Sequence, residues 1–145
     1  MIATTTTVIA TEWDYRVNEL LGIPFKYRSQ DIEEGLDCWG LTCLFQSKLR
    51  GIAMHTHNKL YKPQEVVNAY LLDEVKWKRI EGQPKFGDIL LFYPIGTLLH
   101  IGVVLNYQWM LHTTIGLYSR PEIYRNTVWL PRLATPPYGV YRYFP

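Results

Sequence analysis

Cysteine, charge of one sign and long apolar runs are all scarce in this sequence, and each shortage closes off a class of protein. Only two of the 145 residues are cysteine, Cys38 and Cys43. Small secreted scaffolds that rely on disulfides carry more. Lys and Arg total 15 against 13 Asp and Glu, a net charge of +2. That balance implies no basic surface for nucleic acid, and no nucleic-acid partner is expected. No apolar stretch approaches the roughly 18 residues of a membrane helix, so no membrane span is expected either. The chain opens Met1-Ile2-Ala3-Thr4-Thr5-Thr6-Thr7. It lacks the basic residue and apolar stretch of a secretory signal, which predicts a protein made in a cytoplasm with no export address of its own. There is no internal repeat, and no low-complexity tract beyond the threonines at 4–7.

What is present is material for a core. Hydrophobic residues make up 48% of the chain, with 5 Trp, 11 Tyr and 5 Phe. A chain of this length is one domain in size and buries about two-thirds of its unfolded surface. A single unit over 1–145 therefore needs neither disulfide nor structural metal.

The first half reads as helical. Residues 11–22 carry Trp13, Val17, Leu20 and Leu21 as a helical stripe, with Thr11 as a capping type and Gly22-Ile23-Pro24 as a stop. Residues 25–36 read as a polar loop. Asp37 is a good N-cap, and Leu41, Leu44, Phe45 and Leu49 recur at helical spacing. Lys48 and Arg50 suit the last turn and Gly51 its close, so a helix is predicted over 37–50. A less regular helix is predicted over 64–78. The second half reads as strands: Ile89–Tyr93, a turn around Pro94–Thr97, Leu98–Leu105, then Trp109–Thr113 after the short turn Asn106-Tyr107-Gln108. Further strand is predicted at Leu117–Tyr118 and Gly139–Tyr143. Helices followed by a meandering antiparallel sheet predict an α+β fold.

One constellation carries chemistry. Cys38 falls in the first turn of the predicted helix, where roughly half a positive charge favours thiolate. His100 and His112 fall on the two strands of the predicted hairpin, and pairing about Tyr107 sets them nearly opposite. Nucleophile, base and orienting group are then within one site. Taken singly, each residue has a plainer role: Cys38 as a small core residue, His100 as a satisfied core histidine, Asp37 as a cap, Trp39 as packing. A metal site from Cys38, Cys43, His55 and His57 fits poorly, because cysteines five apart on a helix point about 140° apart. No metal and no cofactor are expected.

Five segments then carry a resemblance. Leu36-Asp37-Cys38-Trp39-Gly40-Leu41 resembles the D-C-S-G-L/F motif of NlpC/P60 cysteine peptidases. Gly87-Asp88-Ile89-Leu90-Leu91-Phe92 resembles their G-D-L-V-F strand, and His100-Ile101-Gly102-Val103-Val104 their H-V-G-I-Y motif. Met110-Leu111-His112-Thr113 resembles the strand bearing their third polar residue, and Gly22-Ile23-Pro24-Phe25-Lys26-Tyr27 their upstream G-x-P-Y-x-W/Y segment. The five occur in the family's order over about residues 15–115.

The resemblance implies a papain-like NlpC/P60 fold, with N-terminal helices packed on a central antiparallel sheet and residues 116–145 completing the sheet or docking a partner. It implies Cys38 as nucleophile, His100 as general base and His112 as its orienting residue, with the Cys38 N–H in an oxyanion site. Tyr27, Asp37 and Trp39 are the substrate contacts it implies. The stretch Ser29–Leu41, with Trp39 in place of the usual serine and Arg28-Ser29 in place of Gly-Gly, is most similar to the phage tail branch. The implied protein is a virion tail peptidase made in the host cytoplasm. It would act at the bacterial cell wall on peptidoglycan stem peptides, with other tail proteins as partners. Two alternatives stay open: a structural tail-tip protein whose peptidase fold is silent or gated, and acyl transfer in place of hydrolysis.

Overall fold

In a computed structural model of the protein, the described residues place an α-helix across a six-stranded antiparallel sheet. The structure describes residues 12–26, 29–31, 33–54, 76–95 and 98–145. Among them no helix is long and apolar enough to cross a membrane.

The helix, α1, spans Cys38–Arg50. Its start is fixed by Asp37, whose Oδ1 accepts the Gly40 N–H at 2.7 Å. Its end is fixed by Gly51 in the left-handed region at φ 65°, with Lys48 and Arg50 in the last turn. These are the local signals that the sequence displays, and they act where expected. A short hairpin, β1 (Gln30–Asp31) with β2 (Gly35–Leu36), leads into α1. Ser29 ties that hairpin down: its Oγ donates to the Gly35 carbonyl at 2.7 Å and its own carbonyl accepts the Asp37 N–H. Gly35 sits at φ 125°, and a Cβ there would come within 2.7 Å of the Pro24 carbonyl. Glycine is therefore required at the bend that delivers Asp37 and Cys38 to the helix start.

The sheet runs in the order β3 (Trp77–Ile80), β8 (Gly139–Tyr143), β4 (Ile89–Ile95), β5 (Leu98–Val104), β6 (Trp109–His112) and β7 (Arg120–Ile123). Strands β4 to β7 form a meander, and β8 returns between β3 and β4. The alternation along each strand sorts its side chains to two faces. Ile89, Leu91 and Ile101 pack with Cys38, Trp39 and Cys43 under α1, while Val103 and Leu111 pack with Leu41, Phe45 and Leu49. Leu90, Phe92, Val104 and Met110 point the other way, onto Tyr124, Trp129 and Leu133. Gln46 and Arg50 tether the far end of α1 to the sheet through the Gly87 carbonyl, at 2.8 and 2.9 Å.

Several expectations are corrected. Tyr15–Leu20 is a 3-10 helix capped by Asp14, not an α-helix from 11 to 22, and Thr11 lies outside the described residues. The polar loop at 25–36 contains the β1–β2 hairpin. The helix predicted over 64–78 lies outside the described residues up to 75, and its end is strand instead, because Trp77–Ile80 pairs with β8. The strand placed at Leu117–Tyr118 starts later, at Arg120; Tyr118 makes only an isolated bridge to Pro24.

Candidate active site

The β5–β6 hairpin builds the histidine half of the site. Its turn is closed by Asn106, whose Oδ1 accepts the N–H groups of Gln108 and Trp109 at 2.8 and 2.9 Å. That side-chain bond explains why so short a turn holds. Val103 pairs with Leu111 and Val104 with Met110. Continued by one step, this register sets His112 opposite Gly102, two residues from His100 on the same face. The imidazoles are therefore diagonal neighbours, nearly opposite as the pairing about Tyr107 predicts, and they meet directly: His100 Nε2 and His112 Nδ1 are 2.8 Å apart. Gly102 has no side chain to intervene, and a Cβ there would lie 2.7 Å from Met110 Sδ.

The network extends past the two histidines. His112 Nε2 lies 2.8 Å from Glu122 Oε1 on β7. Arg120 donates to the same oxygen at 3.3 Å, and the Trp129 indole N–H donates to Glu122 Oε2 at 2.8 Å. Trp129 is placed by Asn126, whose Oδ1 accepts its backbone N–H at 2.8 Å. Its ring stacks on His100 with centroids 5.1 Å apart and meets His112 edge-on at 5.5 Å. Phe92 lies on His100 as well, at 5.5 Å.

Burial sets the protonation of this group. The His100 pKa is pushed down to about 3, first by burial and then by the neighbouring His112, Arg120 and Arg132. His112 is also lowered by burial, against the pull of its Glu122 bond. Both imidazoles are neutral at pH 7. For Glu122, burial works against ionisation, but the bonds from Trp129 and His112 outweigh it and hold the carboxyl below its usual range.

Cys38 is the first residue of α1 and is 7% exposed. It meets β5 at the backbone N–H of Ile101, one residue beyond His100, and this bond favours the thiolate, as do the N–H groups of Trp39 and Cys38 itself. Burial and the nearby Asp37 charge prevail, and the thiol pKa is pushed up to about 12. Cys43 is buried on the same helix, and neither cysteine is in a disulfide.

The structure brings His100 and His112 into contact and sets Cys38 against the strand that carries His100. Trp39 and Asp37 require correction as substrate contacts. Trp39 is 0% exposed and belongs to the core beneath α1. Asp37 is 2% exposed, with its carboxylate spent on the helix cap. Tyr27, His55 and His57 lie outside the described residues. Among the described residues, no group of three or more His, Cys, Asp or Glu is placed to hold a metal ion. Sequence reasoning missed Glu122 and Trp129.

Three comparisons with known proteins bear on this arrangement. Residues 22–135 match the NlpC/P60 family. No curated protein matches the chain. Among solved structures, the fold is similar to the crystal structure of the NlpC/p60 domain of the peptidoglycan hydrolase SagA. The TM-score is 0.50 and the identity 20%, over 74% of this chain and 82% of that one.

Proposed function

The chain belongs to the NlpC/P60 family, and from that premise we propose that it is a cysteine peptidase cutting peptide bonds in peptidoglycan stem peptides. Cys38 is its nucleophile, His100 its base and His112 the orienting residue. The observation that carries this reading is the direct His100–His112 bond at 2.8 Å, on the strand whose next backbone N–H meets the Cys38 thiol.

With Cys38 as nucleophile and His100 as base, the chemistry would run in two halves. His100 Nε2 is engaged by His112, so Nδ1 is the nitrogen that takes the Cys38 proton. Sγ attacks the amide carbonyl carbon, and the oxyanion is met by the Cys38 N–H with a neighbouring donor. The C–N bond breaks as His100 returns the proton to the departing amine. Water, deprotonated by His100, then attacks the thioester, releasing the acid and restoring the thiol. The resting thiol is protonated, so its proton leaves only as substrate arrives.

Digestion of defined muropeptides, with mass analysis of the products, tests the reading. The wild-type protein should cut within the stem peptide, and the added mass of water distinguishes hydrolysis from transfer. Cys38→Ala should lose at least ~1,000-fold in turnover, as removal of a nucleophile does. Equal turnover by Cys38→Ala overturns it.

The likeness of Asp37-Cys38-Trp39-Gly40-Leu41 to phage tail proteins supports a virion setting at the bacterial wall, with other tail proteins as neighbours. Co-purification with tail particles tests that part. A second reading, a tail-tip scaffold with a gated site, draws on the 7% exposure of Cys38 and its raised thiol pKa.

A further inference from the structure

Glu122 is a carboxylate with two oxygens and three donors around it. Oε1 faces His112 Nε2 at 2.8 Å and Arg120 Nη2 at 3.3 Å, and Oε2 takes the Trp129 indole N–H at 2.8 Å. An ionised carboxylate only accepts, and an indole N–H only donates. The His112 nitrogen facing Glu122 must therefore carry a proton. A neutral imidazole has one N–H, so His112 Nδ1 is left as an acceptor. The 2.8 Å contact from His100 Nε2 to that nitrogen must then run from His100 to His112. The proton of neutral His100 is committed to Nε2, and its Nδ1 carries the free lone pair.

We infer that Glu122 is a positioning residue that sets the direction of the whole relay, holding His100 in the one tautomer able to act as a base through Nδ1. This deepens the peptidase reading and rests on it for the identity of the base. Each link has one permitted sense, and the carboxylate at the end imposes it on the next two. Trp129 serves the relay twice: its N–H pins Oε2, and its ring face holds the His100 plane. The charged and titratable groups around His100 come from several elements. Among the described residues they include His112 on β6, Arg120 and Glu122 on β7, and Arg132 in the 3-10 helix Leu130–Leu133. Glu122 is the acid among them bonded to the histidine pair.

Glu122→Gln exposes the dependence because a carboxamide offers one acceptor oxygen to three donors. With that oxygen on Trp129, the NH2 group faces His112 Nε2 and turns it into an acceptor. His112 then donates from Nδ1, and His100 carries its proton on Nδ1, where it cannot serve as a base.

The test is nitrogen NMR of the imidazoles in the full chain at pH 7, paired with muropeptide kinetics. In the wild type, His112 and His100 should both be protonated at Nε2. In Glu122→Gln, the Nδ1–H forms should grow and kcat should fall by roughly 10- to 100-fold with KM within about twofold, the scale on which outer partners of a working imidazole act. A wild-type spectrum with His112 protonated at Nδ1 overturns the inference. So does a Glu122→Gln protein that keeps both the wild-type tautomers and the wild-type kcat. The wild-type spectrum decides the relay even where the variant does not fold. A wild-type chain that leaves muropeptides uncut, with the tautomers as stated, defeats the peptidase reading while supporting the relay.

Discussion

At the sheet end of the site, His100, His112, Glu122 and Trp129 are tied side chain to side chain, with 2.8 Å at each of the three links. At the helix end, Cys38 is held by backbone: its place in the chain after the Asp37 cap, and the Ile101 N–H against its sulfur. The first half is fixed by its own bonds with no ligand present, which is the arrangement a base and its orienting group would need. The second half is poised but protonated. The helix N-terminus favours thiolate, yet burial and the Asp37 carboxylate outweigh it. A thiol's placement at a helix start and its ionisation are thus separable, and here burial leaves the thiol protonated.

The contrast is broken most directly by alkylation. With its pKa pushed up to about 12, Cys38 should react with iodoacetamide about a thousandfold more slowly at pH 7 than an ordinary thiol. The rate, read at the Cys38 peptide by mass spectrometry, should climb about tenfold per pH unit between pH 7 and 10. A plateau at neutral pH would mean a standing thiolate–imidazolium pair and erase the difference between the two ends.

The next effect concerns stability. His100 is neutral in the fold down to about pH 3 but takes a proton near 6.5 when unfolded. Its neutral form is therefore preferred by the fold. The stability so gained is complete above about pH 6.5 and is lost as pH falls from there toward 3. Urea denaturation at pH 4 should give a value lower by more than about 1 kcal/mol than at pH 7. The slope should shrink in His100→Phe, which cannot titrate.

The smallest effect sharpens the comparison by moving two readouts in opposite directions. Asp37→Ala removes the helix cap, worth about 1 kcal/mol. It also removes the charge that raises the Cys38 thiol pKa. The variant should melt earlier and be alkylated faster at a fixed pH, and slower alkylation would refute the electrostatic account.

These particulars also show what the sequence made legible. The cap at Asp37, the helix after it and the glycine that ends it are read correctly because each is a contact between near neighbours. The two histidines are found from strand parity, which needs only that both lie on one face. The register about Tyr107 holds as well, since Val103 pairs with Leu111, and it leaves the two histidines nearly opposite, as diagonal neighbours. Glu122 stays hidden because its role depends on how β7 aligns with β6, where Met110 pairs with Glu122. Nothing within Arg120-Pro121-Glu122-Ile123 announces that alignment. Trp39 misleads for the opposite reason: a motif position next to a nucleophile suggests contact with substrate, while an indole at that turn of α1 satisfies the core.

One feature of the sheet bears on how the protein is made. Strand β8, Gly139–Tyr143, fills the place between β3 and β4, and both wait for it. During synthesis the ribosome releases Trp77–Ile80 and Ile89–Ile95 well before their shared neighbour emerges. Until it does, each presents a bare strand edge of the kind that recruits other chains. The half of the sheet that carries the histidines, β5 to β7, can zip locally as a meander in the meantime. Residues 139–143 then close the sheet, supplying the one strand that β3 and β4 share as a neighbour.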